Sequence, residues 1–145
     1  MAHFLLVVAP YYKEITNALT HGAISHLDSK GHTYEILNVP GAFEIPAAIH
    51  MALHHSDAYD GYIALGCVIR GETTHYDYVC GECARGVADL AVLHQVPIGF
   101  GVLTVENMAQ AEVRASVDKK NKGREAAIAA TDMLAIKQRF VGGHV

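Results

Sequence analysis

The chain has 145 residues, of which 51% are hydrophobic and 18% charged, and a formal net charge of −4. That length suits a single domain burying roughly 70% of its unfolded surface, and the acidic balance supplies no long-range positive field for nucleic acid. No apolar run approaches the ~18 residues of a membrane span.

Three cysteines cannot form a closed disulfide set. The opening apolar run, residues 4–10, lacks the basic flank and small-residue cleavage site of a secretory leader. A soluble, unprocessed protein of the reducing cytoplasm is expected. The apolar excess suits either surface buried between subunits or an alanine-rich core.

Taken in chain order, residues 4–9 are a β-branched apolar run and predict a strand. Tyr11 and Tyr12 follow it, suited to stacking on a planar heterocycle or to closing the core. Apolar residues at 15, 18, 19, 23, 24 and 27 form a helical stripe, ended by the cation and glycine of Lys30-Gly31. Residues 33–39 predict a second strand. Just beyond it, VPGAFEIP (39–46) places Pro-Gly before Glu44, where a helix over 45–55 opens. Glycine there admits a ligand to the backbone, and the carboxylate can accept hydrogen bonds from hydroxyls; the plainer reading is a turn with an acid suited to the helix dipole.

In that helix His50 and His54 lie four apart and His55 follows, which is a metal-ligand spacing. The glutamate of H-E-x-x-H is missing and no third ligand is evident, so an exposed face is expected and no metal site. His3, His21, His26, His32, His94 and His144 are isolated and carry no argument.

Residues 61–69 predict the third strand, which runs into GCVIRGETTHYDYV. Thr74 and Asp77 have capping-box spacing, with Asp in place of Glu or Gln, so a helix over 75–94 is expected. The amides of Gly71 to Thr74 then suit an anion such as phosphate, although such turns often bind nothing. His75, in the first helical turn, is the acid/base candidate: the dipole disfavours the imidazolium and a bound phosphate favours it; the alternative is a plain surface histidine. Cys80 and Cys83 match C-x-x-C, yet both fall on the apolar stripe of Tyr76, Val79, Val87, Leu90 and Ala91, so packing is expected rather than redox or zinc chemistry.

Residues 98–105 predict the fourth strand, followed by a short turn at 106–113 and a closing helix over 123–140. The basic cluster Lys119, Lys120, Lys122 and Arg124 suits a solvated turn or a small anionic substrate. Four near-continuous apolar strands alternating with helices predict an α/β fold: a parallel sheet covered on both faces, with right-handed crossovers, in one domain over 1–145. Ligands of such sheets sit beyond the carboxyl ends of the strands. No G-x-G-x-x-G, P-loop or G-x-S-x-G motif occurs, which removes support for dinucleotide, nucleoside-triphosphate and serine-hydrolase chemistry.

In order and wording, VPGAFEIP (39–46), LGCVIRGETTHYDYV (65–79), TVENMAQA (104–111) and NKG (121–123) resemble the lumazine synthase family, and the likeness runs from about residue 4 to 139. The resemblance implies a flavodoxin-like three-layer sandwich, a four-stranded parallel sheet flanked by helices, assembled as a homopentamer with sites shared by neighbouring subunits. It implies a transferase step of riboflavin biosynthesis, the condensation of 5-amino-6-(D-ribitylamino)uracil with 3,4-dihydroxy-2-butanone 4-phosphate. It also implies roles. Tyr11 would lie over the pyrimidine, where the family usually has Phe or Trp. Ala42, Phe43 and Glu44 would hold the ribityl chain, and Cys67, Val68 and Ile69 the uracil edge. Glu72 and Thr73 would bind phosphate and His75 would transfer protons. Phe100 and Arg114 would come from the adjacent subunit, Arg114 as the phosphate's counter-charge, and Lys122 would lie near the pyrimidine. No cofactor, metal or electron carrier is implied.

Two departures bear on assembly. Where many capsid-forming members have a glycine-rich turn and a lysine, this chain has Ser116-Val117-Asp118-Lys119-Lys120, and it starts almost at its first strand. A pentamer or decamer is expected rather than a 60-subunit shell. Two other functions fit the resemblance less well: a riboflavin synthase of the same general fold, and a flavin- or lumazine-binding protein without turnover, against which His75 and Arg114 both argue.

Overall fold

A computed structural model describes residues 1–142; His144 and the expected domain end at 145 lie outside the described residues. The elements are β1 (His3–Val8), α1 (Lys13–Ser29), β2 (Thr33–Asn38), a single 3₁₀ turn (Ala42–Glu44), α2 (Ile45–His55), β3 (Gly61–Ile69), α3 (His75–His94), β4 (Ile98–Val105), α4 (Met108–Ala115) and α5 (Lys122–Val141). The strands form one all-parallel sheet in the order β2-β1-β3-β4, the α/β three-layer arrangement expected from the sequence.

Side-chain alternation along β1 divides the interior into two cores. Phe4, Leu6 and Val8 face one core with Leu19, Ala23 and Leu27 of α1 and Ala126, Ala127 and Ala130 of α5. Leu5 and Val7 face the other with Ile45 and Ile49 of α2 and Val79, Cys83 and Val87 of α3. A strand loaded on both faces reads as a continuous apolar run, which is why β1 and β3 were legible.

β2 corrects that expectation. It is an edge strand paired only with β1, and Ile36 and Leu37 remain 48% and 39% exposed. Tyr34 packs against the core formed with α1, but the other residues of β2 stay exposed. The turn expected at 106–113 is also corrected: α4 begins within it and runs on to Ala115, opened by the Asn107 side chain accepting a hydrogen bond from the Gln110 amide at 2.9 Å. The end of α1 is as expected, with Gly31 at φ +75° and the His32 amide donating to the Leu27 carbonyl at 3.0 Å.

Two glycines set how closely α5 approaches. A Cβ at Gly99 of β4 would collide with the Ala126 carbonyl, and one at Gly123 with the Leu19 carbonyl of α1. Gly123 belongs to the NKG string, so part of that string is explained by helix packing. Among the described residues no helix is long and apolar enough to cross a membrane.

Candidate active site

The chain leaves β1 towards β2 on one side and returns to β3 on the other, so the sheet reverses direction of growth between β1 and β3. In parallel sheets the crevice at such a reversal receives ligands, because the two flanking loops diverge there. A cavity of about 670 Å³ opens at that place, walled by the segments that follow β1 and β2, by the end of β3 and by the start of α3.

After β1, Ala9, Tyr11 and Tyr12 form one wall. The two tyrosines meet edge to face, with centroids 4.8 Å apart. They divide the roles left open by the sequence: Tyr12 packs against the core, whereas Tyr11 is 78% exposed and free to stack.

The second wall is Gly41, Ala42, Phe43 and Glu44. The Glu44 amide donates to the Gly41 carbonyl at 3.1 Å, winding the chain into its 3₁₀ turn. A Cβ at Gly41 would stand 3.2 Å from Glu44 Oε1, so glycine leaves that carboxylate room. Ala42 is buried while the Phe43 ring is exposed. Cys67, Val68 and Ile69, the end of β3, line the cavity between these walls. Burial pushes the Cys67 thiol up to about 11, so it is a neutral group near pH 7.

From α3 come His75, Tyr78 and Val79, at i, i+3 and i+4 on one helical face. Tyr78, 69% exposed, was not singled out from the sequence. Its signal was present in the spacing from His75. The expected capping box is not formed: Thr74 makes no side-chain cap, and the Thr73 hydroxyl accepts from the His75 amide at 3.3 Å instead. Asp77 accepts from Arg70 at 3.3 Å, and Arg70 also donates to Glu106 at 2.8 Å while lying 4.3 Å over the Tyr76 ring. A guanidinium offers several donors and stronger charge-assisted bonds than a backbone amide, so it takes the carboxylate away from the cap. Glu72 and Thr73 are exposed on the turn before α3 and do not line the cavity.

The remaining expected residues lie elsewhere. Phe100, Arg114 and Lys122 share a separate hollow of about 330 Å³ formed by β4, α4 and α5. Arg114 donates to the Gln110 carbonyl at 3.1 Å, and Lys122 pairs with Glu125 at 3.1 Å. Thus the chain carries Tyr11, Glu44 and His75 in one place and Arg114 in another. Cys83 is buried in the core and Cys80 half-buried beside it, both as free thiols raised by burial, which bears out the packing reading of C-x-x-C.

Comparison with known proteins agrees with this arrangement. A family profile described as 6,7-dimethyl-8-ribityllumazine synthase matches residues 1–138. Proteins of that name from Bartonella tribocorum and Novosphingobium aromaticivorans are each 51% identical to the chain. The first aligns over 138 residues (95% of this chain, 91% of the relative), the second over 140 residues (97% and 99%). The protein so named from Agrobacterium fabrum is 49% identical over 144 residues, covering 97% of both. With its parallel sheet, its cavity at the sheet reversal and this extent of similarity, the chain belongs to the 6,7-dimethyl-8-ribityllumazine synthase family.

Proposed function

We propose that the chain condenses 5-amino-6-(D-ribitylamino)uracil with 3,4-dihydroxy-2-butanone 4-phosphate to give 6,7-dimethyl-8-ribityllumazine, phosphate and water, as one cytoplasmic domain over 1–145 working in a homopentamer or a decamer. The observation that carries this reading is the division of functional groups on one subunit. A stacking ring, a hydroxyl-accepting carboxylate and an exposed imidazole line one cavity, and Phe100, Arg114 and Lys122 line a different hollow. A symmetric ring brings the second set of one subunit to the first set of its neighbour.

In this reading Tyr11 stacks on the pyrimidine, and the backbone of Cys67, Val68 and Ile69 hydrogen-bonds its edge. Ala42, Phe43 and Glu44 hold the ribityl chain. The exposed turn with Glu72 and Thr73 receives the phosphate, whose charge Arg114 of the adjacent subunit balances; Phe100 and Lys122 of that subunit close over the pyrimidine. The 5-amino nitrogen attacks the ketone and water leaves, forming an imine. Phosphate then departs, and the ribitylamino nitrogen closes the second ring with loss of water. Every stage moves protons, which His75 relays at the cavity wall. Holding both reactants side by side replaces a bimolecular encounter with an oriented one.

Supplying both substrates and following the lumazine chromophore together with inorganic phosphate tests the proposal, with one phosphate expected per lumazine. No chromophore, or riboflavin formed from lumazine alone, would overturn it. The assembly has its own support: Val92, Leu93, Met133, Ile136, Phe140 and Val141 are exposed on α3 and α5, more apolar surface than a lone subunit needs. Light scattering is expected to give a mass of five or ten chains, and a 60-chain shell or a lone subunit would refute the assembly.

A further inference from the structure

Away from the cavity, α2 and α3 pack side by side, and the contact is set by a small residue. A Cβ at Gly86 of α3 would stand 2.7 Å from the Cβ of Pro46 of α2. From that touching point, steps of four residues lead along α2 to His50 and His54, and along α3 to Leu90 and His94. His94 therefore arrives at the level of the two α2 histidines. The sequence hid this, because 40 residues separate His94 from His54.

The result is three exposed imidazoles in a row. The ring centroids of His50 and His54 are 5.1 Å apart, and those of His50 and His94 are 5.4 Å apart. Two imidazoles sharing one tetrahedral ion, with metal–nitrogen bonds of ~2.0–2.1 Å, have centroids about 5 Å apart. Both spacings are within a few tenths of an ångström of that value. His50 and His54 also sit at i and i+4, the separation at which two helical side chains reach one point.

We propose that His50, His54 and His94 form a surface site for one divalent transition ion of the zinc class, clamping α2 to α3 and taking no part in the condensation. As the rings stand, no group of three such side chains among the described residues could hold a metal ion, so the site forms only when at least one of these rings turns. The three rings are exposed, so rotation about their side-chain torsions closes the site at little cost. Imidazole nitrogen is a borderline donor that prefers zinc, nickel and copper to magnesium or calcium. Asp89, in the same groove, is held by Arg85 at 3.1 Å and leaves the imidazoles as the available donors.

The test uses the untagged, assembled protein stripped with chelator and dialysed against Zn²⁺, with Co²⁺ as a spectroscopic probe. One Zn²⁺ per chain is expected, and Co²⁺ should give the intense visible bands of a four-coordinate site. His50→Ala and His94→Ala should each weaken Zn²⁺ binding by at least about tenfold, as loss of a ligand does. His21→Ala on α1 should leave it unchanged, and the metal-free rate of condensation should be the parent's in all three variants. Absence of stoichiometric Zn²⁺, or binding that survives His94→Ala, would overturn the site while leaving the proposed condensation untouched.

Discussion

His75 opens α3 with its side chain exposed at the cavity wall, in reach of a ligand, while its backbone amide donates a hydrogen bond to the Thr73 hydroxyl. A group that only moves protons affects the chemical steps more than the holding of substrate. His75→Ala should therefore lower kcat on the order of 10²-fold, with KM for both substrates nearly unchanged, as steady-state assay of the chromophore would measure. A parent-like kcat would remove His75 from proton transfer. At this scale the sequence was informative where chemistry is local: the strings around residues 39–46 and 65–79 located the residues that line the cavity. It was uninformative where one side chain has competing partners. Asp77 has the spacing of a cap, but Arg70 lies within 3.3 Å and takes its carboxylate, which only the three-dimensional arrangement discloses.

At the scale of elements, the junction of α1 and α5 sets much of the architecture, and its requirements are steric and electrostatic. The Cβ of Gly123→Ala would meet backbone of α1, which cannot swing aside as a side chain can, so about 1–3 kcal/mol of stability should be lost. A thermal midpoint lower by several degrees is the expected reading. Further along the same junction His26 is buried, with Nε2 3.2 Å from the Thr131 hydroxyl, which itself donates to the Ile128 carbonyl. Nε2 therefore carries a proton and donates it to that hydroxyl. Burial lowers its pKa from 6.5, and the cations Arg124 and Lys30 add to that against the opposing Asp132. His32 is shifted the same way, first by burial and then by the N-terminus. Below 6.5 the unfolded chain takes up protons that the folded chain resists, so stability is complete above that pH and falls as pH drops through it towards the lowered native values. Thermal melts between about pH 7.5 and about pH 5 should show this decline, and His26→Gln should flatten it. An unaltered slope in the variant would assign the acid sensitivity elsewhere. β3, α2 and α3 were legible to the residue, because each carries its own apolar pattern and boundary signals. The exposure of β2 was not, since an edge position depends on which strands pair, a fact that no residue of β2 contains.

For the whole molecule, the decisive question is whether a working site draws on two subunits. The cavity with His75 and the hollow with Arg114 share no lining residue in one chain, and the sequence suggested their union only through family resemblance, because an interface leaves no periodicity to read. Complementation tests it directly. His75→Ala and Arg114→Ala are each expected to be slow as pure assemblies. Dissociated, mixed one to one and reassembled, they are expected to form rings in which a given site pairs an intact His75 with an intact neighbouring Arg114 with probability one half times one half. About a quarter of the parent activity should return if each site spans two subunits of a closed ring. If Arg114 served the cavity of its own chain, every site would carry one defect or the other, and mixing would restore nothing.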